Sequence, residues 1–307
     1  MKSITIRAPS TIANLGPGFD IFALALEHPY IELEMHLTDS RSIAFKLDGC
    51  PEDIPDDPEK NCAGLAIIDL LKKIDSNAGV LIEPRRTIRV GAGLGSSGAC
   101  ASASVYGLSR LLGLSLDPNQ MIEIASQGEI ASGSVAHADN VAGAMLGGFV
   151  IVKSYNPIEV IRIDTPAVPI VIGVMRKTQR TTRTFIPKSM ELTLVKEQLS
   201  FCSLVVHAIM KGDIEELGKA INNDYISEPV RSQSIPGYSD IKRKVLQSGA
   251  FGCNVSGGGL SIFAICDQNR VQDVADAMKK AFTKENMDSE IIVTRASNNG
   301  IKEVKSE

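Results

Sequence analysis

The chain has 307 residues, of which 44% are hydrophobic and 22% charged, with a formal net charge of −4. That is a globular composition with material for one large domain or two of middle size, and its mild acidity without any basic run speaks against nucleic-acid binding. The N-terminus lacks the continuous apolar region of a signal peptide, no stretch approaches about 18 uncharged apolar residues, and the six cysteines show neither CxxC nor zinc spacing. The expectation is a cytoplasmic protein with reduced thiols and no membrane partner.

Residues 2–7 alternate polar and apolar side chains and predict a strand. Ala8 to Asp20 is too rich in Gly and Pro for either regular element and reads as turns. Residues 30–37 alternate cleanly, with Ile31, Leu33, Met35 and Leu37 against Glu32, Glu34 and His36. Residues 42–47 alternate less cleanly, and both runs read as half-buried strands of an antiparallel sheet. An acidic loop from Pro51 to Lys60 leads to Asn61 and an apolar helix through about Ile74. That helix ends in two lysines, which suit the negative end of a helix dipole. The β-branched run Thr87-Ile88-Arg89-Val90 then precedes a glycine-rich stretch. An alanine-rich helix follows, ending near Leu112 and closed by Gly113. Asp117 and Pro118 open the next helix as N-cap and first helical residue; it carries Glu123 and Glu129 and breaks at Ser132-Gly133-Ser134. His137, Asp139 and Asn140 stand among small residues, before Gly147-Gly148 and a strand from Phe149 to Lys153.

The second half begins with a strand at 168–175 and a polar, basic stretch from Arg176 to Lys188. Helical patterns cover about 192–211, 213–223 and 238–248. A strand near 251–256 meets Gly257-Gly258-Gly259, and a strand at 261–266, a helix at 269–284 and a strand at 289–295 finish the order. This is the split βαβ arrangement of a ferredoxin-like sheet. The change of rhythm divides the chain into residues 1–160 and 161–307, with no flexible linker between them.

Gly91-Ala-Gly93-Leu-Gly95-Ser-Ser97-Gly98 is the stretch richest in chemical meaning. Its glycines permit positive φ and let an anion approach the backbone, and a helix starting there turns free N–H groups toward that anion. A phosphate cradle is the reading, with a plain strand-to-helix turn as the alternative. Gly93-x-Gly95-x-x-Gly98 matches the dinucleotide fingerprint in form, yet Asp117, the nearest acidic candidate, caps a helix instead of ending a second strand. A Walker loop fails because no Lys-Ser/Thr follows the glycines.

Gly93-Leu-Gly-Ser-Ser-Gly-Ala99 resembles the central phosphate motif of the GHMP kinase superfamily. Ala8-Pro-Ser-Thr-Ile-Ala-Asn14-Leu-Gly-Pro-Gly-Phe-Asp20 and Ser256-Gly-Gly-Gly-Leu-Ser261 stand where that superfamily has its other two motifs. The Asn14–Asp20 segment, His137-Ala-Asp-Asn140-Val-Ala with Gly147-Gly148, and Glu228-Pro-Val-Arg231 are similar to its homoserine kinase branch. The resemblance spans residues 2–295. It implies an α+β, two-domain GHMP kinase fold: an N-terminal ribosomal-protein-S5-domain-2-like domain and a C-terminal ferredoxin-like domain. It further implies ATP and Mg²⁺, phosphorylation of the side-chain hydroxyl of L-homoserine, and a homodimer.

By the same resemblance, Asn14, Asp20, His137, Arg183 and Arg231 bind the acceptor. A planar arginine fork suits its carboxylate, and Asp20 suits its ammonium. Asp139 and Asn140 stand near the reacting hydroxyl. Arg89, Val90, Gly91, Ala92, Gly93, Leu94, Gly95, Ser96, Ser97, Gly98 and Ala99 form the nucleotide loop, Asn61 meets the adenine, and Ser97 and Glu129 hold Mg²⁺. Taken singly, Asn14 and Asp20 read as turn formers, His137 as a core residue, the arginines as surface and Glu129 as a solvated helix residue; their order along the chain favours the site. Several GHMP kinases carry an aspartate where Asn140 stands. An amide takes no proton at neutral pH, so Asn140 is expected to orient the hydroxyl during direct in-line transfer.

Three departures from the superfamily pattern stand out. Arg89 replaces a common proline, Gly258 and Leu260 replace Ala and Pro, and Gly98 replaces Ala in what reads as a permissive change. A mevalonate- or shikimate-type kinase and a catalytically silent sensor are the competing readings.

Overall fold

Two long strands, β1 (Ser3–Ala13) and β2 (Phe22–Thr38), pair antiparallel from Ser3↔His36 to Ala13↔Ala23. The computed structural model describes residues 2–51, 54–133, 136–175 and 186–304. β3 (Ile43–Phe45), β4 (Gly79–Arg86), β5 (Phe149–Tyr155), β6 (Ile158–Ile163) and β11 (Lys302–Val304) complete a seven-stranded sheet in which only β3 and β4 run parallel. β7 (Pro169–Met175), β8 (Ala250–Ser256), β9 (Ser261–Cys266) and β10 (Ser289–Arg295) form a second, fully antiparallel sheet of order β10-β7-β9-β8, the ferredoxin-like order.

The helix after the glycine stretch, α2 (Ser96–Leu112), lies almost wholly buried between the first sheet and α1 (Cys62–Lys73). Gly107 permits that depth, since a Cβ there would stand 2.5 Å from Met35 Sδ and 3.1 Å from Ile6 Cγ1. α3 (Pro118–Ser126) starts in a full capping box between Asp117 and Gln120, and a one-turn helix, α4 (Ile130–Gly133), and α5 (Asp139–Leu146) follow. α6 (Leu192–Lys211) and α7 (Ile214–Ile221) cover one face of the second sheet; after α8 (Glu228–Arg231), α9 (Tyr238–Gln247) and α10 (Val271–Lys284) cover the other. Side chains alternate accordingly: Ile172, Phe263 and Ile265 join the large core shared with the first sheet, while Val171, Ile262 and Ala264 pack toward Met278 and Phe282. The helices and mixed sheets are those of the two-domain α+β fold expected from the glycine-rich motifs.

α6 has the length and mean hydropathy (1.3) of a membrane-crossing helix. It carries Lys196 and Glu197, however, and its inner face, with Val205, Ala208 and Ile209, belongs to the large core.

Four local expectations need correction. Ala8–Ala13 is strand, not turn: β1 continues past Pro9 because the register shifts between Pro9 and Thr11, and an irregularity is where a residue without N–H is tolerated. Thr87–Arg89 is not strand, because the last pair of β4 is Arg86↔Glu32 and the chain must leave the sheet there to reach the loop. Glu129 does not sit on a continuing α-helix but in a 3₁₀ turn (Gln127–Glu129) after α3. Gly128 lies so close to α1 that a Cβ would meet Cys62 O at 2.4 Å, so the backbone tightens and turns Glu129 inward. Residues 22–29 of β2, together with β4, α5, β6, α8 and β11, were not foreseen; the shortest of them are held by tertiary pairing, as β11 is by β1.

Candidate active site

The glycine loop is built backbone against backbone. Gly91, Gly93 and Gly95 all have positive φ (76°, 76° and 66°). A Cβ on Gly93 would lie 2.3 Å from Ser256 O, and one on Gly259 would lie 2.1 Å from Gly93 N, so the loop and the Gly257–Gly259 turn admit no side chain between them. Ser256 Oγ and Ser261 Oγ clamp the same stretch by donating to Gly93 O (2.7 Å) and Ala92 O (2.5 Å). Ser96 Oγ donates to Ile88 O (3.0 Å), which fixes the first turn of α2 with its free amides toward the cleft. Gly98 is more than permissive: a Cβ would come within 3.0 Å of Asn140 Cβ and Val141 N, and its absence lets α5 lie directly against α2.

The second component is the turn after β1. Asn14, Leu15 and Asp20 adopt positive φ (69°, 46° and 58°), a costly conformation for side-chain-bearing residues. Asn14 holds it by accepting from Asp20 N at its Oδ1 (3.1 Å), and Tyr155 Oη donates to the Asp20 carbonyl. His137 Nδ1 stands 3.8 Å from Asp20 Oδ1. Burial lowers the His137 pKa against the pull of Asp139, and burial raises the Asp139 carboxyl pKa. Arg231, only 8% exposed, donates to Gly257 O and lies with its guanidinium carbon 5.6 Å from the Phe19 ring centroid. Burial pushes its pKa down, and the charges of Asp224 and Asp139 oppose that shift.

Between the two components stands Asn140. Its Oδ1 accepts from Thr11 Oγ1 at 2.6 Å, which fixes the amide orientation and aims the Nδ2 donor elsewhere. Thr11 was not singled out from sequence, and no local signal points to it, because its partner lies 129 positions along the chain. Asp139 Oδ1 accepts from Asn140 N at 2.8 Å.

Glu129 is 5% exposed and bonded to Ser97, and its Oε1 has no partner. Desolvation, with a smaller contribution from the Asp139 charge, raises its pKa to about 7. A buried carboxylate oxygen without a partner, beside a serine hydroxyl and a helix N-terminus, fits a divalent cation shared with phosphate oxygens.

A single cleft of about 810 Å³ brings these groups together: Asn14, Asp20, His137 and Arg231 line it along with Ser96, Ser97 and Glu129. Asn61, Val90, Gly91, Gly93, Gly95, Asp139 and Asn140 line it as well. Ala92, Leu94, Gly98 and Ala99 point into the core, and Arg89 is exposed outside the cleft wall, so the loop alternates between ligand-facing and packing residues. Asn61 caps α1 through Ala63 N (2.9 Å) and donates Nδ2 to Pro55 O (2.7 Å), so most of its side chain serves the fold. Arg183 lies outside the described residues.

Family models of the GHMP kinases match this chain at residues 61–148 (N-terminal domain) and 205–284 (C-terminal domain). The fold and the glycine-lined cleft thus belong to a GHMP kinase. The chain is 35% identical over 294 residues to the homoserine kinase of Methanocella arvoryzae, covering 96% of this chain and 95% of that one. It is 34% identical over 291 residues to the homoserine kinase of Pyrococcus abyssi, covering 94% and 96%. The crystal structure of homoserine kinase from Cytophaga hutchinsonii superposes with a TM-score of 0.90 at 34% identity, covering 99% of this chain and 98% of that one. The chain belongs to the homoserine kinase family. A mevalonate diphosphate decarboxylase from Staphylococcus aureus, at 15% identity and a TM-score of 0.72, shares the fold alone.

Proposed function

We propose that this chain transfers the γ-phosphoryl group of ATP directly to the side-chain hydroxyl of L-homoserine. One observation carries the reading. One cleft is lined by a carboxylate (Asp20), a buried guanidinium (Arg231) and the Asn140 amide, and also by a helix N-terminus with Ser96, Ser97 and Glu129. An α-amino acid with a terminal hydroxyl presents an ammonium and a carboxylate to the first two groups and its oxygen to the amide.

The amides of Gly93–Ser97 hold the phosphates, where the α2 dipole favours negative charge, and the Ser96 hydroxyl secures the loop by its bond to Ile88 O. Ser97 and Glu129 hold Mg²⁺, which, when bound, neutralises charge on the transferring group. Arg231 takes the acceptor carboxylate; Asp20, steadied by Asn14 and flanked by His137, takes the ammonium. With Oδ1 engaged by Thr11, Asn140 donates from Nδ2 to the acceptor oxygen and lines it up with the phosphorus. The amide takes no proton, so the hydroxyl proton leaves to a phosphate oxygen or solvent. A loose phosphoryl-transfer transition state asks for positioning and charge stabilisation before base strength.

Six free cysteines fit a reducing cytoplasm. Assembly as a homodimer completes the reading, with the exposed Leu192, Leu199 and Met210 of α6 as apolar surface for it. The test follows ADP release from the purified chain with MgATP and, separately, L-homoserine, L-threonine, mevalonate and shikimate. Turnover with homoserine, at least tenfold above the others in kcat/KM, is the expected result; none with homoserine overturns the reading.

A further inference from the structure

Arg231 and the Asn14–Asp20 turn come from segments more than two hundred residues apart, yet the acceptor reading requires them at a fixed spacing. Inside the cleft Arg231 meets the turn through the Phe19 ring, 5.6 Å from its guanidinium carbon, a contact too loose to fix that spacing. Behind the cleft wall, however, lies a polar cluster that the phosphoryl-transfer chemistry does not use. Its centre is Asp224, a carboxylate only 6% exposed. Oδ1 accepts from Ile226 N (2.9 Å), Ser227 N (3.0 Å) and Gln198 Nε2 (3.5 Å); Oδ2 accepts from Glu228 N (2.9 Å) and from Ser227 Oγ. A buried carboxylate with so many donors is satisfied without any cation bonded to it, and it takes the first amides of the short helix α8 that ends at Arg231.

The same cluster reaches the turn from two sides. Asn14 Nδ2 donates to Ser227 Oγ (3.5 Å), the hydroxyl that Asp224 orients. Gln198 of α6 donates Nε2 to Pro17 O (2.5 Å) and accepts from Tyr225 N (2.8 Å), so one amide side chain spans the turn and the Asp224 segment. Cys202, one helical turn further on, also points its Sγ at Pro17 O (3.1 Å). Glu228, the first residue of α8, is held by Lys242 Nζ (2.5 Å) and Tyr238 Oη (2.6 Å), which ties that short helix to α9 as well.

We propose that Asp224, acting through Ser227 and Gln198, is the positioning residue that sets the distance between Arg231 and the Asn14–Asp20 turn and so makes the site selective for acceptors bearing both a carboxylate and an ammonium. The inference rests on the homoserine reading of the cleft. Asp224 touches neither substrate; it acts by where it holds Arg231 and Asn14. Its negative charge also favours a charged guanidinium in a buried place.

The test compares Asp224→Asn with the wild type, using L-homoserine and 3-aminopropan-1-ol, which keeps the ammonium and hydroxyl but lacks the carboxylate; the amino alcohol is read as substrate or as competitive inhibitor. The expected result for Asp224→Asn is a KM for homoserine raised tenfold or more, kcat within about threefold, and an unchanged KM for ATP. The constant for 3-aminopropan-1-ol stays within about twofold. Ser227→Ala, which keeps the amide bonds to Asp224 and removes the link to Asn14, is expected to raise the homoserine KM by a smaller factor, and it decides the matter if Asp224→Asn does not fold. Equal losses on both acceptors, a parallel rise in the ATP KM, or tighter homoserine binding in either variant overturns the proposal. A wild-type protein that turns over no homoserine overturns instead the reading on which it rests, and the two failures are told apart by that control.

Discussion

The two ends of the cleft are made in opposite ways. The phosphate end is backbone: consecutive residues 91–97, three glycines in positive φ, and a facing glycine turn so close that no Cβ fits between. The acceptor end is side chains: Asp20, His137, Asn140 and Arg231 from three separate segments, each held by side-chain or backbone partners. A phosphate group is the same in every nucleotide, and a rigid cradle of amides recognises it once for all. An acceptor differs from enzyme to enzyme, and side chains on a shared frame can change without disturbing that cradle. The comparison teaches that damage to the first end should fall on nucleotide and stability together, and damage to the second on the acceptor alone.

The largest effect is expected at Glu129. Glu129→Gln should cost on the order of 100-fold in kcat/KM for ATP, since it removes an anionic oxygen from the cation position. It should also stabilise the metal-free protein at neutral pH. The folded carboxyl titrates near 7 against an ordinary value of 4.5, so the folded state binds the proton more tightly. Below pH 4.5 both states are protonated and nothing is lost. Stability falls as pH rises from about 4.5 to 7 and levels off above, by about 3 kcal/mol in all. Urea denaturation at pH 5 and pH 8 without Mg²⁺ should show that slope in the wild type and its loss in Glu129→Gln. Next comes Gly259→Ala, which forces a methyl group onto Gly93 N: a destabilisation of about 1–3 kcal/mol with a raised KM for ATP, measured by thermal melting and initial rates. A homoserine KM that rose while the ATP KM stayed fixed would break the comparison. The smallest effect is expected for Thr11→Val, which frees Asn140 Oδ1 and should lower kcat several-fold with both KM values little changed.

The phosphate end was legible because its signal is local. Glycine spacing, the cap at Asp117 and the αL stop at Gly113 are chemistry of neighbouring residues, and the structure shows the side-chain cap and the αL stop. The ferredoxin-like order was legible for the same reason, from alternating strands and amphipathic helices. Residue 9 misled because a proline reads as a strand breaker unless the bulge beside it is known. Glu129 misled because the 3₁₀ turn that aims it inward is imposed by contact with α1 at Gly128. Thr11 and Gln198 carry no sequence signature: each acquires its role from a partner 129 or 181 positions away. Asp224 caps its own neighbours Ile226, Ser227 and Glu228, but what that cap positions is set by the distant Asn14 and Gln198. Asp20 and Arg231 were found through family resemblance, not through spacing.

The central claim is that the acceptor end works separately from the phosphate end, and calorimetric titration of Arg231→Ala tests it most directly. L-Homoserine and a non-hydrolysable ATP analogue with Mg²⁺ are titrated separately into wild type and variant. The account predicts that homoserine binding weakens by tenfold or more while the analogue binds within about twofold of wild type. Loss of both affinities together, or of neither, would contradict it.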